Sequence, residues 1–332
     1  SFASLMRRTN PDLTLLSYAN ATLAEPGNVT DLPEAAFAHD DSGARITATG
    51  FGTYLMESSF EPWRQMATEQ CDERVARAGY DGCLVDMLTL GIFARGIVSA
   101  PPQDPATGQT YTEVAYRDQM LALAAAYRER SPSLIHIGNS VENAYRYWEA
   151  GEATSQPLVT SQPGAQMEDF LRGAGDDVTD FPSPSQWLLN VRVIEDMQDR
   201  GTVGLFTTKL WVPAGRAQVA RWQAYAMATF LMGADGGSYF AFTRSRDQVG
   251  VLNLNAPYRM PRTIGRSTGP RTRLASGAWI RRFARGRAVV NPTGRADTVR
   301  LGRPWRTLDG RVTRTLRLPA RSGDVVVVPT RR

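Results

Sequence analysis

Short apolar runs alternate with longer stretches of helical spacing along most of the chain. That alternation predicts parallel strands joined by helical crossovers. The strand candidates are residues 13–18, 52–56, 82–87, 134–138, 165–170, 203–208 and 238–243. Between them, residues 62–78 place Trp63, Met66, Ala67, Cys71, Val75 and Ala78 on one helical face. A second helix is predicted over 112–129 and ends at Ser131-Pro132, because the residue before proline avoids the helical region. Shorter and longer helices follow over 141–150, 184–200 and 215–232. Ser183 is placed to cap the 184–200 helix, Pro184 suits its first turn, and the 215–232 helix is strongly apolar.

The chain opens on the end of a helix running into a strand, so an eighth strand and a targeting segment are expected before Ser1. Eight such units over about 250–280 residues fit a (β/α)8 TIM barrel. A doubly wound open sheet is the competitor, but no glycine-rich phosphate loop follows any strand. From about Ser276 the texture changes to short alternating runs with turns at Asn291-Pro292, Asp309-Gly310 and Ser322-Gly323. The predicted organisation is a barrel over 1–260 and a small antiparallel, β-sandwich-like domain over 275–332. Residues 255–274, rich in Pro, Gly and Arg, read as a linker or long loop.

Composition changes this picture little. The chain has 332 residues, 42% of them hydrophobic, and no apolar run long enough to span a membrane. Its net charge of +5 rests on 38 basic residues of which Lys209 is the only lysine. So strong a preference for arginine reads as genomic bias and a solvated basic face, with a polyanion-binding surface as the alternative, and no nucleic-acid partner is expected. Cys71 and Cys83 flank a predicted helix end and the next strand, so two readings stand: a disulfide in a secreted protein, or two small buried hydrophobes. His39 and His136 lack the spacing of a ligand set, and Asp40-Asp41-Ser42-Gly43 reads as a turn, so no metal or cofactor is expected. No G-x-S-x-G elbow or H-E-x-x-H occurs.

In a parallel barrel the working groups sit at the C-terminal strand ends. Asp86 ends GCLVD and Glu168 ends AQME. A carboxylate walled in at such a place needs water, a partner or a task. Two carboxyl groups are what glycoside cleavage requires, one as proton donor and one as nucleophile or base. Asp86 is assigned nucleophile or base and Glu168 general acid, with the reverse assignment open. Each has the alternative of a helix cap or an arginine partner. Tyr18, Asn20, Asn139, Thr207, Lys209 and Tyr239 lie at or near other strand ends and are candidate sugar contacts, with Glu57 a third acidic candidate. Lys209 reads either as a cation beside a carboxylate or as an exposed rim lysine. Trp63, Trp148 and Trp211 are stacking platforms or core.

Gly79-Tyr80-Asp81-Gly82-Cys83-Leu84-Val85-Asp86 resembles a strand of glycoside-hydrolase-like barrel families, the polygalactosaminidase-like hydrolases and the hypothetical glycosyl hydrolase group. Asn10-Pro11 with Leu15-Leu16-Ser17-Tyr18, Gly138-Asn139, Met167-Glu168-Asp169-Phe170, and Phe283 through Asn291-Pro292 resemble further segments of these families, in order. The resemblance implies carbohydrate hydrolysis through Asp86 and Glu168. The segments 24–51 and 99–109 depart from the pattern and bear on the shape of the substrate cleft. The expected protein is a secreted hydrolase of a polysaccharide or oligosaccharide. The alternative is a catalytically silent carbohydrate-binding barrel.

Overall fold

Strands and helices alternate through the computed structural model, which describes residues 2–93, 96–149, 154–244 and 261–329. They fall into two units, one of Ser1–Glu142 with Arg146–Gln166, the other of Asn143–Tyr145 with Met167–Arg332. Among the described residues six strands pair in parallel. No helix among them is long and apolar enough to cross a membrane.

In the first unit, helix α1 (Phe2–Thr9) leads to strand β1 (Leu16–Asn20). The 52–56 run is not a barrel strand. Only Tyr54–Leu55 (β3) is extended, and it pairs antiparallel with Leu23–Ala24 (β2). Met56 N donates to Thr22 O and Glu57 N to Ala36 O, so this stretch is consumed by the wall of a loop. Helix α2 (Glu61–Ala78) then leads to β4 (Gly82–Asp86). A small hairpin, β5 (Gln103–Asp104) with β6 (Gln109–Thr110), fills the 99–109 insertion. Helix α3 (Glu113–Arg130), strand β7 (Ile135–Gly138), the short helices α4 (Ala144–Trp148) and α5 (Gln156–Thr160), and β8 (Gly164–Met167) follow.

The glycine-rich motif before Asp86 is architectural. Gly79 caps α2 in the left-handed conformation, φ 76°, which residues with a Cβ adopt only at a cost. Asp81 accepts from Leu15 N and from Arg7 Nη2, each at 2.7 Å, fixing where β1 begins. Its carboxyl is held below the usual carboxylate range by those two donors. A Cβ on Gly82 would lie 1.9 Å from the Ile135 carbonyl oxygen, so the neighbouring strand demands glycine. Cys71 on α2 and Cys83 on β4 form a disulfide. Both are buried in a core with Val85, Met120, Leu123 and Tyr127. Because side chains alternate along a strand, burying Cys83 and Val85 against α2 and α3 leaves Leu84 and Asp86 on the other face.

The second unit contains helix α6 (Pro184–Asp199), strand β9 (Val203–Lys209), helix α7 (Arg216–Gly233) and strand β10 (Ser238–Thr243). Ser183 and Gln186 form a capping box that starts α6. Strands β9 and β10 are parallel, with Thr207 opposite Ala241 and Lys209 opposite Thr243. Of the predicted linker, 255–260 lies outside the described residues. The remainder contributes a short helix, Pro261–Ile264, and the strand β11 (Thr272–Arg273). A six-stranded antiparallel sheet follows, built from β11, β12 (Trp279–Phe283), β13 (Gly286–Asn291), β14 (Asp297–Arg306), β15 (Val312–Leu318) and β16 (Ser322–Val327). Their spatial order is β11-β12-β13-β16-β14-β15. Helix α7 is buried on this sheet: a Cβ on Gly323 would meet the Ala228 Cβ at 2.9 Å. Arg281 donates to the Leu231 and Ala234 carbonyls at 3.1 and 2.8 Å, closing the C-terminal end of α7.

Candidate active site

Asp86 is the last residue of β4, and the parallel register sets Asn20 of β1 beside it. Three donors hold its carboxylate. The Tyr18 hydroxyl donates to Oδ2 at 2.6 Å. Asn139 Nδ2 donates to Oδ1 at 2.9 Å, and the Met87 amide to the same oxygen at 2.8 Å. Asn139 is aimed there because its own amide donates to the Val85 carbonyl at 2.9 Å, continuing the ladder one residue past β7. Asn20 Nδ2 donates in turn to the Tyr18 hydroxyl at 3.2 Å, and the Arg74 guanidinium donates to the Tyr18 carbonyl. Met87 carries φ 57°, unfavourable for a residue with a long side chain. That turn aims its amide back at the preceding carboxylate. Tyr18, Asn20 and Asp86 line a cavity of about 250 Å³, whose wall also includes Leu23, Phe51 and Trp63.

Glu168 follows β8 in the second unit, where the lone lysine meets it. Lys209 Nζ lies 3.0 Å from Glu168 Oε2 and 3.1 Å from Asp169 Oδ1. Burial alone would lower the Lys209 pKa, but the two carboxylates outweigh it and hold the ammonium above its ordinary value. Lys209 is therefore a buried cation beside a carboxylate rather than an exposed rim lysine. It sits 5.1 Å from the centre of the Trp211 ring. The backbone supports the pair, since Phe170 N donates to Thr207 O at 3.0 Å and Thr208 Oγ1 to Phe170 O at 2.9 Å. Thr207 is half-buried on β9, and Tyr239 is exposed on β10.

Glu57 is buried elsewhere in the first unit, and the cavity beside Asp86 is lined without it. Its Oε1 accepts from the Tyr111 hydroxyl at 3.0 Å and the Ser59 amide at 2.8 Å. Trp63 is core, donating to the Ala21 carbonyl at 3.0 Å with part of its ring in the cavity wall. Trp211 donates to Thr243 Oγ1 at 3.0 Å, and Trp148 packs edge-on against Tyr147. His39 is bonded to Glu34 at 2.8 Å, and His136 is buried. Asp40 closes the predicted turn by accepting from Ser42 and Ala44.

Sequence reasoning did not single out Phe51, Arg74 or Met87. Arg74 and Met87 carry no periodic signal, whereas Phe51 stands between two glycines, a visible cue.

Parallel strands alternating with helices, a carboxylate at a strand's C-terminal end and a terminal antiparallel sheet define the TIM-barrel fold of glycoside hydrolases with C-terminal β domains. The profile of hypothetical glycosyl hydrolase family 15 matches residues 7–287, and the chain belongs to that family. Among solved structures, the noncanonic maltogenic alpha-amylase AmyB from Thermotoga neapolitana is similar at 13% identity, with a TM-score of 0.55, covering 98% of this chain and 80% of that one. An Anoxybacillus alpha-amylase is similar at 10% identity, with a TM-score of 0.54, covering 99% and 78%. The glycoside hydrolase domain of PelA from Pseudomonas aeruginosa aligns at 14% identity over 72% of this chain and 82% of that one, with a TM-score of 0.45. No curated protein sequence matches the chain.

Proposed function

We propose that the chain is a glycoside hydrolase acting on a polysaccharide or oligosaccharide, with Asp86 and Glu168 as its two carboxylates. The observation that carries this reading is the Asp86 carboxylate, held by three directed donors at a strand's C-terminal end and opening on a cavity. A carboxylate offers about four lone-pair sites. Three are filled, which leaves one for an anomeric carbon or a water. That suits Asp86 as nucleophile or base. Glu168 is then the acid that protonates the leaving oxygen, after which the bond between that oxygen and the anomeric carbon breaks. Lys209 holds Glu168 in place and stabilises the carboxylate that is left once its proton has passed to the leaving oxygen. The Cys71–Cys83 disulfide supports an oxidising, extracellular setting.

A second reading, a carbohydrate-binding barrel without catalysis, is favoured by the Lys209 ion pair, which occupies Glu168. The test is a screen of polysaccharides with wild type, Asp86→Asn and Glu168→Gln. The hydrolase reading expects reducing ends from wild type and a loss of at least about a hundredfold in each variant. Equal release by all three proteins would defeat the assignment. Binding without release would support the silent barrel.

A further inference from the structure

Phe51 belongs to the segment that departs from the family pattern, yet it is built into the wall beside Asp86. The residue is 62% exposed. Gly50 and Gly52 flank it with φ 81° and 69°, both left-handed, so a tight turn lifts the ring off the backbone. Phe51 N donates to Ala48 O at 3.2 Å, and Ala48 N to Thr53 O at 2.9 Å, closing that turn. The turn is strapped to a neighbouring segment, since Thr49 N donates to Ile97 O and Ser99 N to Thr47 O, each at 2.9 Å. An aromatic ring held out on a braced turn gives up packing unless something covers it.

The cavity it lines measures about 250 Å³. That lies just under the range of about 300 Å³ and above typical of drug-sized ligands, which leaves room for one ring rather than a chain. Its lining joins an apolar part, Leu23, Phe51 and Met87, to polar side chains, Asn20, Asn28 and Gln70. A pyranose has the same division, with an apolar C–H face and hydroxyls around its edge. We propose that this cavity is a subsite for a single pyranose ring and that Phe51 is its stacking platform. The proposal deepens the hydrolase reading and rests on it for the choice of a sugar as ligand.

The test is direct binding of tetrasaccharides of glucose, galactose, glucosamine, galactosamine and their N-acetyl forms, read by saturation-transfer NMR and by isothermal titration calorimetry. Wild type is expected to bind at least one of them. Phe51→Ala should weaken that binding about tenfold, and Phe51→Trp should stay within about threefold of wild type. Melting temperatures should not change, because the ring is exposed. If no tetrasaccharide binds wild type, or if Phe51→Ala binds as tightly as wild type, the subsite assignment is wrong. Product analysis on the same samples separates the two claims. Sugar bound through Phe51 but recovered uncut sinks the hydrolase reading alone. Sugar cut equally well by Phe51→Ala sinks the subsite alone.

Discussion

The Tyr18 hydroxyl lies 2.6 Å from Asp86 Oδ2, so a tyrosine on the first strand of the described sheet orients the carboxylate on its neighbour. Tyr18 and Asn139, both candidate sugar contacts, donate to Asp86, so any contact they make with substrate is made by groups already engaged with that carboxylate. A hydrogen bond to a charged group contributes about 1.5–3 kcal/mol. Tyr18→Phe is therefore expected to lower kcat about 10- to 100-fold with a smaller change in KM, and to leave the melting temperature near wild type. Steady-state kinetics with a calorimetric scan checks both halves.

Asn139 and Tyr18 grip different oxygens of one carboxylate, so their effects should not add. The double variant Tyr18→Phe/Asn139→Ala is expected to lose less activity than the product of the two single losses. A double-mutant cycle on kcat/KM measures the shortfall, and strict additivity would mean that the two donors act on different things.

Lys209 is a buried cation facing two half-exposed carboxylates, Glu168 and Asp169. Removing it leaves two like charges together without a counter-ion. Lys209→Met should cost about 1–2 kcal/mol of stability at neutral pH, less than a fully buried pair because the carboxylates reach solvent. Both Lys209→Met and Lys209→Arg should lower activity, the latter because a planar fork does not occupy the place of a compact ammonium. Denaturant titration and kinetics on both variants decide this.

Asp324 on β16 carries a pH dependence of the opposite sign to that of a salt-bridged acid. Burial, reinforced by Asp309, pushes its pKa from 3.8 up to about 6, against the Leu308 amide that donates to it at 3.1 Å. The folded state thus binds this proton more tightly than the unfolded chain does. Its contribution to stability is complete below pH 3.8 and is lost as pH rises through about 6. Asp324→Asn, which keeps an acceptor for Leu308, should stabilise the protein by about 1–2 kcal/mol at pH 7 and flatten the change between pH 4 and 6. Melting curves across that range would reveal it.

The Cys71–Cys83 disulfide joins α2 to the strand that ends at Asp86, closing a loop of 12 residues' separation. Bridges of this span contribute about 3 kcal/mol. Cys71→Ala/Cys83→Ala should lower the melting temperature by several degrees, as should reduction of the wild type. If the bridge also steadies Asp86, kcat falls more than folding loss explains.

Much of this was legible from residues alone. An apolar strand ending in an acid makes Asp86 conspicuous, and being the lone lysine does the same for Lys209. The 52–56 run misled because Tyr54, Leu55 and Met56 are apolar, although loop carbonyls already claim its amides. The grip of Tyr18 on Asp86 depends on the register that sets Tyr18 opposite Leu84. Periodicity cannot supply a register between strands 60 residues or so apart in sequence; turn chemistry and core shape decide it. The strongly apolar 215–232 helix carries a further hint. A helix apolar over most of its surface must be covered on more than one side, and α7 takes the antiparallel sheet as one of its covers.

That last arrangement limits how the molecule can be taken apart. An appended module can be deleted or exchanged when a linker is all that joins it to the rest. Here the terminal sheet supplies Gly323 as a seat for Ala228 and Arg281 as the stopper of α7. A truncation near residue 275 would strip an apolar helix bare, and the shortened chain should aggregate.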